Sequence, residues 1–87
     1  MDEQWLKQLP IDNIQKVNAV SGGDVNEAYE IENNDQKYFL LVQPNKSKEF
    51  FTTEAAGLKD LKQAGVTVPE VYDVGEINKD AFLLISF

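Results

Sequence analysis

Residues 37–43 read Lys-Tyr-Phe-Leu-Leu-Val-Gln, and Pro44 ends this nearly continuous apolar run. Such a run, stopped by a proline, is typical of a central β-strand that is covered on both faces. A helical pattern follows, with Ser47 as the predicted N-cap and Gly65 as the predicted C′ residue. Its apolar residues recur at helical spacing: Phe50, Phe51, Ala55, Leu58 and Leu61. The middle of the chain therefore predicts a buried strand followed by the main helix.

Shorter patterns flank this pair. Asp2–Leu9 predicts a short helix that Pro10 ends, and Ile14–Val20 and Asn26–Glu32 predict two half-exposed strands. After the main helix, Glu70–Glu76 and Ala81–Phe87 predict two more strands around a turn at residues 78–80. The order helix, three strands, helix, two strands predicts an α+β domain with a five-stranded antiparallel sheet. The aromatic residues expected in its core are Trp5, Tyr38, Phe39, Phe50, Phe51, Phe82 and Phe87.

The composition excludes several functional classes. The 87 residues form a single domain, and they include no Cys, no His and no basic residue other than eight Lys. Thiolate and imidazole chemistry is thereby removed, both for catalysis and for metal binding. A net charge of −7 disfavours nucleic acid and anionic membranes as partners. Asp73, Glu76 and Asp80 are interpreted as solvated turn residues, so no metal site is predicted in this chain.

The two ends of the sequence suggest a compartment and a missing part. The acidic start opposes a signal peptide and no apolar run is long enough to span a membrane, so we expect a cytoplasmic protein. Ala81–Phe87 ends inside its most apolar stretch, which predicts a fragment whose remaining domain begins after Phe87. An uncovered strand of this kind predicts self-association of the fragment.

Two features could carry chemistry. Ser21-Gly22-Gly23-Asp24-Val25-Asn26 lies between two predicted strands, where paired glycines suit either a loop over a phosphate group or an ordinary hairpin turn. Glu54 lies beside the apolar stripe of the main helix, so its carboxylate either faces the sheet and holds a cation or reaches water. Its partner would be a Lys, with Lys16 and Lys37 as the candidates, because Lys59 and Lys62 are expected on the solvated side of the helix.

Taken in order, these motifs resemble the fructosamine kinase (ketosamine-3-kinase) family, within the protein-kinase-like and aminoglycoside-phosphotransferase-like group. The resemblance rests on six segments and covers the N-terminal lobe only: residues 20–29, 38–42, 54–58, 68–71, 75–76 and 81–85. It implies ATP-dependent phosphoryl transfer, with Mg²⁺, to the sugar of a small-molecule or protein-bound ketosamine. The family's catalytic loop and metal ligands would lie in a C-terminal lobe that this chain lacks, so the fragment alone is expected to be inactive.

The resemblance also assigns roles to individual residues. Ser21, Gly22, Gly23, Asp24, Val25 and Asn26 would cover the ATP phosphates, Glu54 would orient a phosphate-contacting Lys, and Ser86 and Phe87 would begin the hinge at the adenine edge. The departure is Leu41, which stands where the family usually has Lys. Either another Lys approaches Glu54, or the nucleotide is held without that ion pair, or the fold has lost its activity. The alternative function is accordingly a pseudokinase-like or stand-alone interaction module.

Overall fold

The computed structural model describes residues 2–20 and 27–87, so the glycine-containing segment 21–26 lies outside the described residues. The predicted α+β class and element order are confirmed. The elements are α1 (Glu3–Leu6), β1 (Lys16–Ala19), β2 (Glu27–Glu32), β3 (Lys37–Gln43), α2 (Glu49–Gln63), β4 (Val71–Ile77) and β5 (Asp80–Ser86).

The five strands form one antiparallel sheet in the order β1-β2-β3-β5-β4. β3 lies at its centre between β2 and β5, as its apolar sequence predicts, and β1 and β4 are the edges. Side chains alternate between the two faces of a strand, so each face has its own cover. Within the described ranges, no helix is long and apolar enough to cross a membrane.

The N-terminal segment covers one face of the sheet. Trp5, Leu6, Leu9 and Ile11 pack there on strand residues that include Leu40, and we call this cluster the N-terminal core. The Trp5 indole N–H also donates a hydrogen bond to the Asp80 carboxylate at 3.2 Å, and the Asn45 backbone N–H donates to the same carboxylate at 3.3 Å. The N-terminal segment is thereby tied to the turn between β4 and β5.

The helix α2 covers the other face. Phe51 and Ala55 are buried against Ala81, Leu83 and Ile85, and we call this cluster the helix core. Phe51 is fully buried, which makes it the main anchor of α2 on the sheet. α2 packs mainly against β4 and β5, so the part of this face that belongs to β2 and β3 is not covered in the same way.

The two ends of α2 differ in how well the sequence predicts them. Gly65 is confirmed at C′: its φ is +89°, its N–H donates to the Lys62 carbonyl, and the Val66 N–H donates to the Leu61 carbonyl. The prediction of Ser47 as N-cap is wrong. Lys48 holds that position without a side-chain cap, because the Glu76 carboxylate accepts the Lys48 backbone N–H at 3.2 Å.

The prediction that seven aromatic residues lie in the core is also wrong in part. Phe50 is 41% exposed and Phe87 is 66% exposed. The expectation that β3 is covered on both faces holds for one face only, since Leu40 is buried but Phe39 and Leu41 are half-buried. The reason is the position of α2, which lies over β4 and β5 and leaves the flank beside β3 open. α1 and β1 are also shorter than the predicted ranges.

Candidate functional site

Among the described residues, the α2 side of the sheet is less covered over β2 and β3 than over β4 and β5. In the strand register Ala28 faces Leu41 and Glu30 faces Phe39, and these residues share the face of the helix core. Lys37 shares this face as well, because it lies two positions before Phe39 on β3. We call these five residues the open face. All except the exposed Lys37 are half-buried, so they form a shallow, largely apolar floor.

One flank of α2 borders this floor. On the other flank, Lys62 forms an ion pair with Glu70 just before β4, and Lys59 lies in the same small cavity. Successive residues of an α-helix are rotated by roughly 100°, which places Glu54 and Leu61 on the opposite flank, toward β3. The helical phase therefore puts Glu54 on the flank of α2 toward β3, and its role in holding a cation stays a prediction.

Glu54 is exposed, and its expected lysine partners lie elsewhere. Lys37 forms an ion pair with Glu30 at 3.3 Å. It is also four residues from Leu41, roughly 13 Å along the strand. Lys16 faces Glu32 in the register and so lies at the same end of the sheet as Lys37. Among the described residues the ion pairs are Lys37–Glu30 and Lys62–Glu70, and neither includes Glu54.

The far end of the open face is aromatic. The Phe87 and Phe39 ring centroids are 6.5 Å apart, and the Lys37 ammonium lies 5.3 Å from the Phe87 centroid. Ser86 fixes the chain just before Phe87: its backbone N–H donates to the Glu70 carbonyl and its hydroxyl accepts from the Glu70 N–H, both at 2.9 Å. The two residues predicted to begin the hinge are thus anchored at one end of the open face.

The described neighbours of the predicted phosphate loop lie toward the opposite end. Residues 21–26 connect Val20 to Glu27, and Glu27 faces Val42 in the register. The described neighbours of this segment therefore lie at the Leu41 end of the open face, away from Phe87. Between the two ends, the apolar side chains of Phe39, Leu41 and Ala28 lie on the same face as the charged Glu30 and Lys37.

The other acidic side chains considered above make hydrogen bonds within the fold. Within residues 2–20 and 27–87, no three Asp, Glu, His or Cys side chains are grouped as a metal site. Glu76 and Asp80 accept the hydrogen bonds described above, and Asp73 accepts the Val74 N–H at 2.9 Å. Burial, together with the neighbouring Glu27 carboxylate, raises the pKa of Tyr29 to about 12.

One feature was missed by the sequence reasoning. A cavity of about 470 Å³ lies between the N-terminal segment and β1, and its apolar lining includes Leu6, Ile11, Ile14 and Val17. These residues belong to the N-terminal core or pack against it, so the cavity is on the opposite side of the sheet from the open face. Local sequence pattern does not reveal it, because its walls come from segments that meet only in the folded chain.

This architecture is consistent with the N-terminal lobe of a protein-kinase-like enzyme: a five-stranded antiparallel sheet, a helix between the third and fourth strands, and an open face beside that helix. The sequence comparisons give the family. Residues 2–87 match the sequence model of the fructosamine kinase family, and the chain belongs to that family. The resemblance predicted from the motifs is therefore confirmed.

Individual relatives agree with this assignment. The chain is 46% identical over 87 residues to a probable ketoamine kinase of Staphylococcus aureus, and 42% identical over 87 residues to a probable ketoamine kinase of Lactiplantibacillus plantarum. Each alignment takes in 100% of this chain but only 30% and 31%, respectively, of the relative. The chain thus spans about three tenths of the length of these relatives. No solved structure matches the chain.

Proposed function

We propose that this chain is the nucleotide-binding lobe of a cytoplasmic ketosamine kinase, which transfers the γ-phosphate of ATP to the sugar of a ketosamine. The observation that carries the proposal is the open face beside α2, with Leu41 in its floor and Glu54 on its flank. Membership of the fructosamine kinase family supplies the reaction class. The 87 residues alone are proposed to be inactive, since relatives named as kinases are more than three times as long.

The open face suits the base of a nucleotide better than its phosphates. Phe39 and Leu41 offer an apolar floor and Phe87 an exposed ring, the kind of surface that binds a planar heterocycle. Leu41 cannot neutralise phosphate charge. In this proposal the backbone of residues 21–26 covers the phosphates, and Mg²⁺ held outside this chain supplies positive charge to them.

A steric test addresses nucleotide binding directly. In Ala28→Phe the new ring projects into the open face and should raise the Kd for ATP at least about tenfold. Ala19→Phe is the matched control, because exposed Ala19 faces Tyr29 in the register and lies on the other side of the sheet. Both variants are made in the complete polypeptide of the gene, titrated with ATP by calorimetry, and checked for an unchanged melting temperature. Equal ATP affinity in the two variants would contradict the proposed site.

Turnover tests the reaction. The complete polypeptide is assayed with ATP, Mg²⁺ and fructosyl-lysine, beside Leu41→Lys and the matched surface change Leu61→Lys. Substrate-dependent turnover by the natural sequence would establish a kinase that works without a lysine at position 41. Its absence, with turnover gained in Leu41→Lys alone, would indicate a nucleotide site that has decayed on an intact fold.

A second candidate function is an interaction module without catalysis. It is favoured by Leu41 and by the exposed Phe50, Leu61 and Phe87, which offer apolar contact for a partner or for a second copy of the chain. It predicts that ATP binding and turnover are both absent, in the natural sequence as well as in Leu41→Lys. For the isolated chain, light scattering that shows a monomer at high concentration would contradict self-association.

A further inference from the structure

Two strand residues and the residue that follows β5 meet at the aromatic end of the open face. Lys37 on β3 lies between Glu30 on β2 and the Phe87 ring at the end of β5, with its ammonium 3.3 Å from the carboxylate and 5.3 Å from the ring centroid. The antiparallel register explains the meeting. Tyr38 faces Ser86, so Lys37 and Phe87 are opposite each other one position further along.

The three side chains in these contacts differ in how far they are exposed to solvent. The Glu30 side chain is 23% exposed, the Lys37 side chain is 48% exposed, and Phe87 is 66% exposed. An exposed ion pair and an exposed cation–π contact contribute little to folding stability. These two contacts matter more for the position of the Phe87 ring, which they hold beside Phe39 at the edge of the apolar floor.

We propose that Lys37 is a positioning residue for the nucleotide base, and that it acts by holding the Phe87 ring in the orientation on which the base stacks. The inference rests on the proposed function, and it adds which residue orients the aromatic ring at this end of the site. Lys37 is roughly 13 Å along the strand from Leu41, so it cannot substitute for a lysine there as a phosphate ligand. In this proposal Lys37 contacts the Phe87 ring, and the Phe87 ring contacts the planar base.

The experiment compares three variants in the complete polypeptide. Lys37→Ala removes the cation, Lys37→Arg retains a cation that can stack on the ring, and Lys62→Ala removes the other ion pair, on the far flank of α2. ATP, adenosine and inorganic tripolyphosphate are titrated separately by calorimetry. Where turnover is present, KM for ATP and kcat are measured as well.

The expected result is selective. Lys37→Ala raises the Kd for ATP and for adenosine about two- to fivefold, the range of an exposed cation–π contact, and leaves the Kd for tripolyphosphate unchanged. KM for ATP rises in parallel while kcat stays within about twofold. Lys37→Arg restores adenosine affinity, and Lys62→Ala matches the natural sequence. Because Lys37 acts through Phe87, the double variant Lys37→Ala/Phe87→Ala binds adenosine no more weakly than Phe87→Ala.

Different outcomes overturn different claims. A natural sequence that binds neither ATP nor adenosine overturns the proposed function and this inference together. Normal binding by the natural sequence, with unchanged adenosine affinity in Lys37→Ala, overturns the inference alone. An equal loss in Lys62→Ala would mean general loosening of the fold, and weakened tripolyphosphate binding in Lys37→Ala would mean direct contact with phosphate. Either result also overturns it.

Discussion

Adding one methyl group at Gly75 should destabilise the protein, because the site has no room for it. A Cβ built there would lie 3.0 Å and 3.1 Å from two ring carbons of Phe82. That ring is only 4% exposed and packs edge-on against Trp5, with the ring centroids 6.0 Å apart. It can yield only by pushing into the N-terminal core. We expect Gly75→Ala to lower the free energy of unfolding by about 1–3 kcal/mol, the usual cost of overpacking.

Gly57 provides the matched control, since the same change there meets no obstacle. Gly57 lies within α2, and apart from its chain neighbours and the backbone of the helix itself no heavy atom is within 4 Å of a Cβ built on it. Alanine in a helix interior is favoured over glycine by about 0.8–1.0 kcal/mol, so Gly57→Ala should raise the free energy of unfolding. The two variants should therefore differ by about 2–4 kcal/mol, with opposite signs relative to the natural sequence.

Trp5 is the chain's single tryptophan and provides the signal. Urea unfolding of the 87-residue chain is followed by Trp5 fluorescence, and the free energy of unfolding is extrapolated to water for both variants. The folded-state emission should also change in Gly75→Ala, because Phe82 contacts the indole, and stay unchanged in Gly57→Ala. A Gly75→Ala variant as stable as the natural sequence would refute the reasoning, since the Phe82 ring would then have room to move.

Three further predictions follow from single contacts. Gly65→Ala should cost about 1–2 kcal/mol, because its φ of +89° is left-handed and unfavourable for a residue with a Cβ; thermal unfolding measures this. The pKa of Tyr29 is raised from 10.0 to about 12, so the folded state holds the phenol proton more tightly than the unfolded state does. The resulting contribution to stability is complete below pH 10 and is lost as the pH rises toward 12. An absorbance titration of tyrosinate should show that Glu27→Gln lowers this pKa, while burial keeps it above 10.0. Asp80→Ala should cost about 1–3 kcal/mol and shift Trp5 emission to the red, because the indole N–H loses its acceptor.

The sequence predicts the fold well where the signal is local. The apolar run bounded by Pro44 predicts β3 with its observed limits, and Gly65 marks the end of α2 because glycine adopts a left-handed φ without strain. The start of α2 is mispredicted because its first free N–H is accepted by Glu76, which lies on β4. The sequence around Ser47 does not reveal that Glu76 lies close to the start of the helix.

The site residues taken from spacing and from the resemblance stay predictions, and their spatial arrangement is not predictable from the sequence. Helical spacing identifies Glu54, and the resemblance identifies position 41, yet the partner lysines depend on strand register. Lys37 pairs with Glu30 because β2 and β3 are antiparallel neighbours. The contact with Phe87 joins residues fifty positions apart in the sequence, and its formation requires β5 to lie beside β3.

The unequal covering of the sheet explains why the site lies where it does. The N-terminal segment closes its own face with Trp5 and three aliphatic residues, so little of that face remains over the central strands. α2 packs mainly on β4 and β5, and its anchor Phe51 holds it there. The remaining area necessarily lies over β2 and β3, bordered by the Glu54 flank of α2 at one side and by Phe87 at one end. A floor with Leu41 at one end favours an apolar ring over a charged group, so under the proposed function we expect this face to bind the base rather than the phosphates.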